Sequence, residues 1–291
     1  MFGFLNLAKP PGPTSHDIVA LVRRLVPKKS KIGHAGTLDP LADGVLVICV
    51  GPATRLADYV QSQSKRYVAE VMLGATSTTD DSEGQVQQLQ GVRSPTEQEI
   101  RGVLTRFVGQ VEQVPPAHSA VHLGGQRAYK IARRGESPDI PARKVEIHSI
   151  ELLKYEYPRL SIDVRCGRGT YIRSLARDIG AALGVGGYCS RLTRTAVGPF
   201  KIEEAISPER LDPQRDIVSP LVALESLPKI TVDEADARRL AMGQSVTAGR
   251  SGRPSCEVAV VTEQGRLIAI AKIDPDGKAL HPTKVFPLDE P

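Results

Sequence analysis

An α+β fold in two unequal units is predicted by three features of the sequence. The chain has 291 residues, more than one hydrophobic core usually organises. Up to residue 227, apolar runs with the two-residue period of strands alternate with stretches of helical period. From Lys229 the texture changes to short alternating strands around one short helix, a β-rich unit of about sixty residues.

The elements follow in order. Met1 to Leu7 reads as a first strand; it is too short for a signal peptide and lacks a basic leader. Lys9-Pro10-Pro11-Gly12-Pro13-Thr14-Ser15 is a rigid loop, with Ser15 expected to cap a helix carrying Ile18, Leu21, Val22 and Leu25 inward. Val45 to Val50 reads as a buried strand. Thr54 is expected to cap a short helix to Gln61. In the strand from Lys65 to Gly74, Tyr67, Ala69, Val71 and Leu73 share one face. Ala75 to Gly84 reads as a polar loop without calcium-loop spacing. Thr96 and Glu99 form a capping box ahead of Ile100, Val103, Leu104 and Phe107.

Residues 114–143 are irregular, with Pro115-Pro116, Gly124-Gly125 and a short basic helix around Ala128 to Arg134; they read as a functional flap. Val145 to Tyr155 and Leu160 to Gly167 form a hairpin pattern. Thr170 is expected to cap the next helix, which carries Ile172, Leu175, Ala176, Ile179 and Leu183 and stops at Gly184. Arg173 stands in its first turn, where a cation opposes the helix dipole, and this points to a fixed anionic partner. Tyr188 to Phe200 reads as a strand, and Asp216 to Leu227 as a helix or ordered linker. In the second unit, strands at Ile230–Val232, Glu257–Thr262, Leu267–Ile273 and Thr283–Phe286 surround a helix from Asp233 to Met242.

Hydrophobic residues make up 41% and charged residues 24%, and no apolar run reaches the ~18 residues that span a bilayer. Cys49, Cys166, Cys189 and Cys256 form no C-x-x-C pair and read as reduced residues of a cytoplasmic protein, with no zinc spacing. The net charge of +5 is clustered: Arg23, Arg24, Lys28, Lys29 and Lys31; then Arg127, Lys130, Arg133, Arg134, Arg143 and Lys144; then Arg165, Arg168, Arg173 and Arg177. Such clusters suit a polyanion, though solvated helix faces produce them too. The 4% aromatic content and the lack of Trp argue against a multi-base stacking platform.

The stretch from Gly33 to Leu46 holds three glycines, Asp39-Pro40 and His34 directly before the buried strand. Pro40 extends Asp39, so a stiff loop presents a carboxylate. An Asp before Pro is ordinarily a turn residue, and only other residues decide between the readings.

Four motifs supply them: Lys9-Pro10 with Gly12 and Thr14-Ser15-His16; Gly33-His34 with Gly36-Thr37-Leu38-Asp39-Pro40 and Gly44; Lys65-Arg66-Tyr67 with Leu73-Gly74; and Gly169-Thr170-Tyr171-Ile172-Arg173. In this order they resemble the TruB family of tRNA pseudouridine synthases, and the segment from Lys229 resembles that family's PUA domain. The resemblance implies a mixed, mainly antiparallel sheet flanked by helices in a catalytic domain (1–227), with an RNA-gripping thumb at 114–143, and a PUA-like domain (228–291). It implies isomerisation of uridine 55 in the T-loop of tRNA, by a cytoplasmic monomer that binds the T-arm stem-loop without membrane, protein partner, metal or cofactor. By the same resemblance Asp39 is the essential carboxylate, Tyr67 stacks on the base, Arg173 lies in the active site, His34 extrudes the nucleotide and Leu192 lines the pocket. The sequence departs from the family pattern at His118, His122, Gly167-Arg168 and Thr78-Thr79-Asp80.

The chemistry agrees with these residues. The reaction breaks N1–C1′ and joins C5 to C1′, with no change in composition. A carboxylate suits it by attacking covalently or by stabilising positive charge at C1′. Arg173 is expected to hold Asp39 ionised through a charge-assisted contact, with bidentate geometry within its reach. The Tyr67 hydroxyl is a candidate for removing the C5 proton. Asp43, the nearest second acid, reads as a surface or turn residue. Three alternatives stay open: an RNA-guided synthase of the same superfamily, a non-catalytic RNA-binding or RNA-folding protein, and a glycosidase with paired carboxylates.

Overall fold

A computed structural model describes residues 1–119, 121–132, 134–248 and 256–288. Arg133, counted among the basic clusters, lies outside the described residues. The first unit begins with β1 (Gly3–Lys9), α1 (Ser15–Leu25), β2 (Ile32–His34), β3 (Asp43–Val50), α2 (Ala57–Ser62) and β4 (Lys65–Leu73). A small hairpin, β5 (Ala75–Ser77) and β6 (Val86–Gln88), precedes α3 (Glu97–Arg106) and β7 (Gly109–Gln113). The irregular segment holds β8 (His122–Leu123), β9 (Gln126–Arg127) and α4 (Ala128–Ala132). Then come β10 (Arg143–Glu156), β11 (Arg159–Cys166), α5 (Ile172–Ala182), β12 (Gly187–Val197), β13 (Phe200–Lys201) and α6 (Pro213–Asp216).

Nine strands form one sheet with the path β1-β3-β12-β4-β11-β10-β7; β13 pairs with β12 and β2 with β3. Every pairing is antiparallel except β12 with β3, where only Thr193 with Asp43 and Arg194 with Gly44 are in register. The mixed, mainly antiparallel sheet is thus as expected. Its one parallel junction sits where β3 leaves the Asp39 loop. On one face lie α1, α3 and α5, around a core that includes Leu5, Leu38, Leu46, Ala69, Val71, Ile162, Ile172 and Leu192.

The second unit comprises β14 (Lys229–Val232), α7 (Glu234–Ala241), β15 (Val246–Thr247), β16 (Glu257–Thr262), β17 (Leu267–Ile273) and β18 (Ala279–Val285). Its five strands run β14-β16-β17-β18-β15. Part of this sheet packs against the other face of the first: Ala259, Leu267, Ile270 and Phe286 join Phe4, Val47, Cys49, Leu56 and Phe200 in one buried cluster. The Phe286 ring stacks on Phe2 with centroids 5.2 Å apart, beneath the Arg55 guanidinium at 5.0 Å.

Several helix ends differ from expectation, each because another donor or acceptor was available. Thr14, not Ser15, caps α1: its hydroxyl accepts from the Asp17 N–H, and the Asp17 carboxylate accepts from the Thr14 N–H. Leu25 is exposed and Val19 takes the buried place instead. Thr54 caps nothing; it lies inside a 3₁₀ turn, Gly51–Leu56, and donates to the Gly51 carbonyl. Thr170 does not cap α5, because the Gln113 side chain accepts from the Tyr171 N–H at the helix start. The polar loop from Ala75 starts as a strand, so its acids stand between the strands of a hairpin. The last strand begins at Ala279 rather than Thr283.

Truncating the ring that joins the two sheets creates a cavity and removes the stack on Phe2. Phe286→Ala is expected to destabilise the protein by about 3–5 kcal/mol, read as a lower urea midpoint; a midpoint equal to wild type would refute the packing role.

Candidate active site

The loop between β2 and β3 is fixed by three buried side chains from three elements. Ser15, released from capping, donates to the Leu38 carbonyl and accepts from the Leu38 N–H, both at 2.9 Å. Lys9, 1% exposed, donates from Nζ to the carbonyls of Pro10 at 2.8 Å and Ala42 at 2.7 Å, with Pro40 at 3.4 Å. Burial lowers its pKa, while Asp43 and Asp39 pull the other way. Arg194, 3% exposed, donates to the carbonyls of Val45 at 2.7 Å, Thr37 at 3.2 Å and Gly36 at 3.1 Å. Gly44 has φ +102°, and a Cβ there would strike the Arg194 backbone. The backbone on either side of Asp39 is therefore held rigidly.

Asp39 remains accessible, with a third of its side chain exposed. Its Oδ2 lies 2.9 Å from Arg173 Nε, which is buried at 4% exposure. The Nε–H is turned off that line, so the contact is charge to charge rather than a formed hydrogen bond. The expected fork onto Asp39 is directed elsewhere. Nη1 donates to Asp81 Oδ2 at 2.9 Å and to the Thr79 carbonyl at 3.1 Å, and Nη2 to the His118 carbonyl at 3.1 Å. The anionic partner inferred from the misfit with the helix dipole is real, but it is two carboxylates sharing one guanidinium. Burial raises the Asp39 pKa, Arg173 opposes this, Asp81 adds to it, and the net is upward. Arg173 thus favours the ionised form, as expected, but burial outweighs it.

Tyr67 lies on β4 directly across from Arg194 on β12. Burial raises its pKa, with the Arg194 guanidinium opposing. The phenol is therefore neutral near pH 7, which disfavours it as a base and leaves stacking and hydrogen bonding. His34 closes β2 half-buried, with Nδ1 unpartnered and its ring edge-on to His16 at 5.3 Å between centroids. Burial, then His16 and Arg194, lower its pKa to about 4. Leu192 is buried in the same cluster as Leu38 and pairs in register with Ala69. The structure thus joins Asp39 and Arg173 directly, links Tyr67 to the loop through Arg194 and places His34 at the loop's start. Asp43 is no free turn residue: it opens β3 with one carboxylate oxygen buried and Arg191 3.9 Å from the other.

Lys9, Ser15, Asp81 and Arg194 were not singled out by sequence reasoning. The basic clusters also divide. Arg23, Arg24, Lys28, Lys29 and Lys31 are exposed and, among the described residues, in no ion pair, whereas Arg173 and Arg177 are engaged with acids. No group of metal-ligating side chains occurs among the described residues.

Residues 23–172 match the family model described as TruB family pseudouridylate synthase (N terminal domain). Residues 173–216 match tRNA pseudouridylate synthase B C-terminal domain, and residues 228–286 match pseudouridine synthase II TruB, C-terminal. The chain belongs to the TruB family. It is 42% identical to tRNA pseudouridine synthase B of Gloeothece citriformis, over 94% of this chain and 91% of that one. It is 40% identical to the protein of that name from Syntrophomonas wolfei, over 100% of both. Among solved structures, an H/ACA RNP bound to a substrate RNA containing 2′-deoxyuridine matches with TM-score 0.76 and 28% identity, over 99% of this chain and 86% of that one. A Cbf5-Nop10-Gar1 complex matches with TM-score 0.75 and 30% identity, over 98% and 85%.

The depressed His34 pKa has a signed consequence. Unfolded chains take up a proton near the ordinary value of 6.5, while folded His34 stays neutral down to about 4. Its contribution to stability is therefore lost as pH falls through that window. His34→Gln is expected to flatten this loss in urea unfolding between pH 6.5 and 4. An unchanged slope, or an NMR titration of His34 near pH 6.5, would contradict the buried neutral imidazole.

Proposed function

We propose that this protein converts uridine 55 in the T-loop of tRNA to pseudouridine, acting alone, with Asp39 as its catalytic residue. The observation that carries the reading is Asp39 itself, partly accessible to solvent yet held from both sides and set against the buried Arg173. The tRNA substrate follows from the relatives' names, and position 55 from the motif resemblance.

The reaction requires the base to leave the RNA stack. His34, neutral and edge-on to His16, suits a wedge that fills the vacated space. Tyr67 stacks on the extruded uracil and Leu192 closes the apolar wall. As N1–C1′ breaks, Asp39 faces positive charge on the sugar or bonds to the substrate. The uracil turns, C5 joins C1′, the C5 proton leaves to solvent and N1 takes one up. The exposed cations before the Asp39 loop suit the RNA backbone, so binding weakens with salt. Residues 1–227 form the catalytic domain with 114–143 as its thumb, and 228–291 form the PUA-like domain. The protein works as a cytoplasmic monomer without a protein partner or cofactor; no described helix is long and apolar enough to cross a membrane.

Purified protein mixed with unmodified tRNA carrying tritium at uridine C5 is expected to release one tritium per tRNA to water. Asp39→Asn is expected to release none while still binding. Arg173→Lys, which cannot serve two carboxylates and two carbonyls at once, is expected to lose turnover by about a hundredfold or more with little change in binding. Silence of the wild-type protein would overturn the standalone reading in favour of a guided or non-catalytic RNA-binding protein.

A further inference from the structure

Helix α5 carries a second arginine one turn beyond Arg173, and the two make matching sets of bonds. Arg173 takes Asp81 and the His118 carbonyl. Arg177 takes Asp80 through Nη1 at 2.8 Å and the Val114 carbonyl through Nη2 at 2.9 Å. Its Nε donates to Asp178 at 2.9 Å. The partners repeat the spacing of the arginines. The acids are neighbours on one side, and the carbonyls stand four residues apart on the other. Two rungs therefore join the acidic hairpin, helix α5 and the root of the 114–143 segment.

Further bonds hold the same root. Ser174 Oγ donates to the Val114 carbonyl at 2.9 Å. The Gln113 carboxamide brackets Tyr171, donating to its carbonyl at 3.0 Å and accepting from its N–H at 2.8 Å. On the acidic side, Asp80 is the only non-glycine with positive φ among the described residues, at 60°. That left-handed turn lets consecutive side chains face two different arginines. The Cys189 N–H donates to the Asp80 carbonyl at 3.0 Å and ties the kink to β12. Glycine would relieve the backbone but would lack the carboxylate that meets Arg177.

We propose that Arg177 is a positioning residue for the reaction. By joining Asp80 to the Val114 carbonyl it sets the spacing between the acidic hairpin and the root of the RNA-gripping segment. That spacing fixes where Arg173 presents Nε to Asp39. The inference rests on the isomerase reading above. Its partly exposed ion pair adds little to stability. Rate is far more sensitive, because small misplacements of a reacting group cost large factors.

The test compares Arg177→Met, Arg177→Lys, Asp80→Asn and the Arg177→Met/Asp80→Asn pair with wild type. The readouts are melting midpoint, T-arm RNA affinity, single-turnover tritium release and hydrogen exchange at the Tyr171 and Cys189 amides, which bond to the root through Gln113 and to the acidic hairpin through Asp80. Arg177→Met is expected to slow release by about ten- to a hundredfold, with smaller changes in affinity and midpoint and faster exchange at both amides. Arg177→Lys reaches one partner and is expected to restore part of the rate. The pair is expected to be no slower than Arg177→Met alone. Wild-type release by Arg177→Met, a loss that only tracks the unfolded fraction, or additive effects would overturn the proposal. The exchange arm needs no turnover: unchanged exchange in Arg177→Met overturns the clamp even if the wild-type protein is silent, whereas silence alone overturns only the standalone reading.

Discussion

The buried guanidinium of Arg173 is the constraint on which the site depends. A cation nine-tenths or more out of water is stable only if its donors are matched. Here Nη1 is met by the acidic hairpin and Nη2 by the root of the 114–143 segment, while Nε faces the Asp39 loop as charge to charge. Removing Asp81 or displacing the His118 carbonyl leaves a buried donor unmet. The geometry of the carboxylate and that of the 114–143 segment are therefore coupled through one side chain.

The Asp39 loop solves the complementary problem. A tight turn rich in glycine and proline leaves carbonyls without backbone donors, and buried carbonyls need partners. Lys9 and Arg194 supply them as charged donors, which hold more strongly than neutral ones. Arg194 also reaches the loop from β12 at the sheet's one parallel junction, beside Tyr67. Asp39 and the Tyr67 ring thus share a reference point, although they come from different elements.

Much of this was legible in the sequence. The Asp39-Pro40 loop before a buried strand stood out through its backbone-restricting residues. Arg173 stood out because a cation in a first helical turn is a misfit that needs an acid. The capping box at Thr96 and Glu99 was readable because both of its halves lie within four residues. What was hidden had a common cause: the partner lay far along the chain. Gln113 takes over the start of α5 from 58 residues away, so Thr170 appeared to be the cap. Lys9 and Arg194 gave no sign of being buried, since burial of a charge is visible only once its acceptors are placed. Asp81, in a run of Thr, Ser and acids, had the composition of a solvated loop. Thr14 and Ser15 are both good caps, and the choice between them was made by Leu38, which needed the Ser15 hydroxyl.

The sharing of Arg173 also bears on catalysis. The contacting trio carries two negative charges and one positive, and its central cation makes its aligned bonds to Asp81 rather than to Asp39. Asp39 is thereby left incompletely compensated, and burial raises the cost of its charge before substrate arrives. Lys9 and Arg194 add positive charge nearby, but their donors are already committed to carbonyls. A full bidentate pairing would have stabilised the resting carboxylate equally in every state and done nothing for the rate. With Asp39 in the catalytic role proposed above, an undercompensated carboxylate is instead stabilised most when positive charge develops at C1′. On that proposal its electrostatics complement the breaking glycosidic bond rather than the intact uridine.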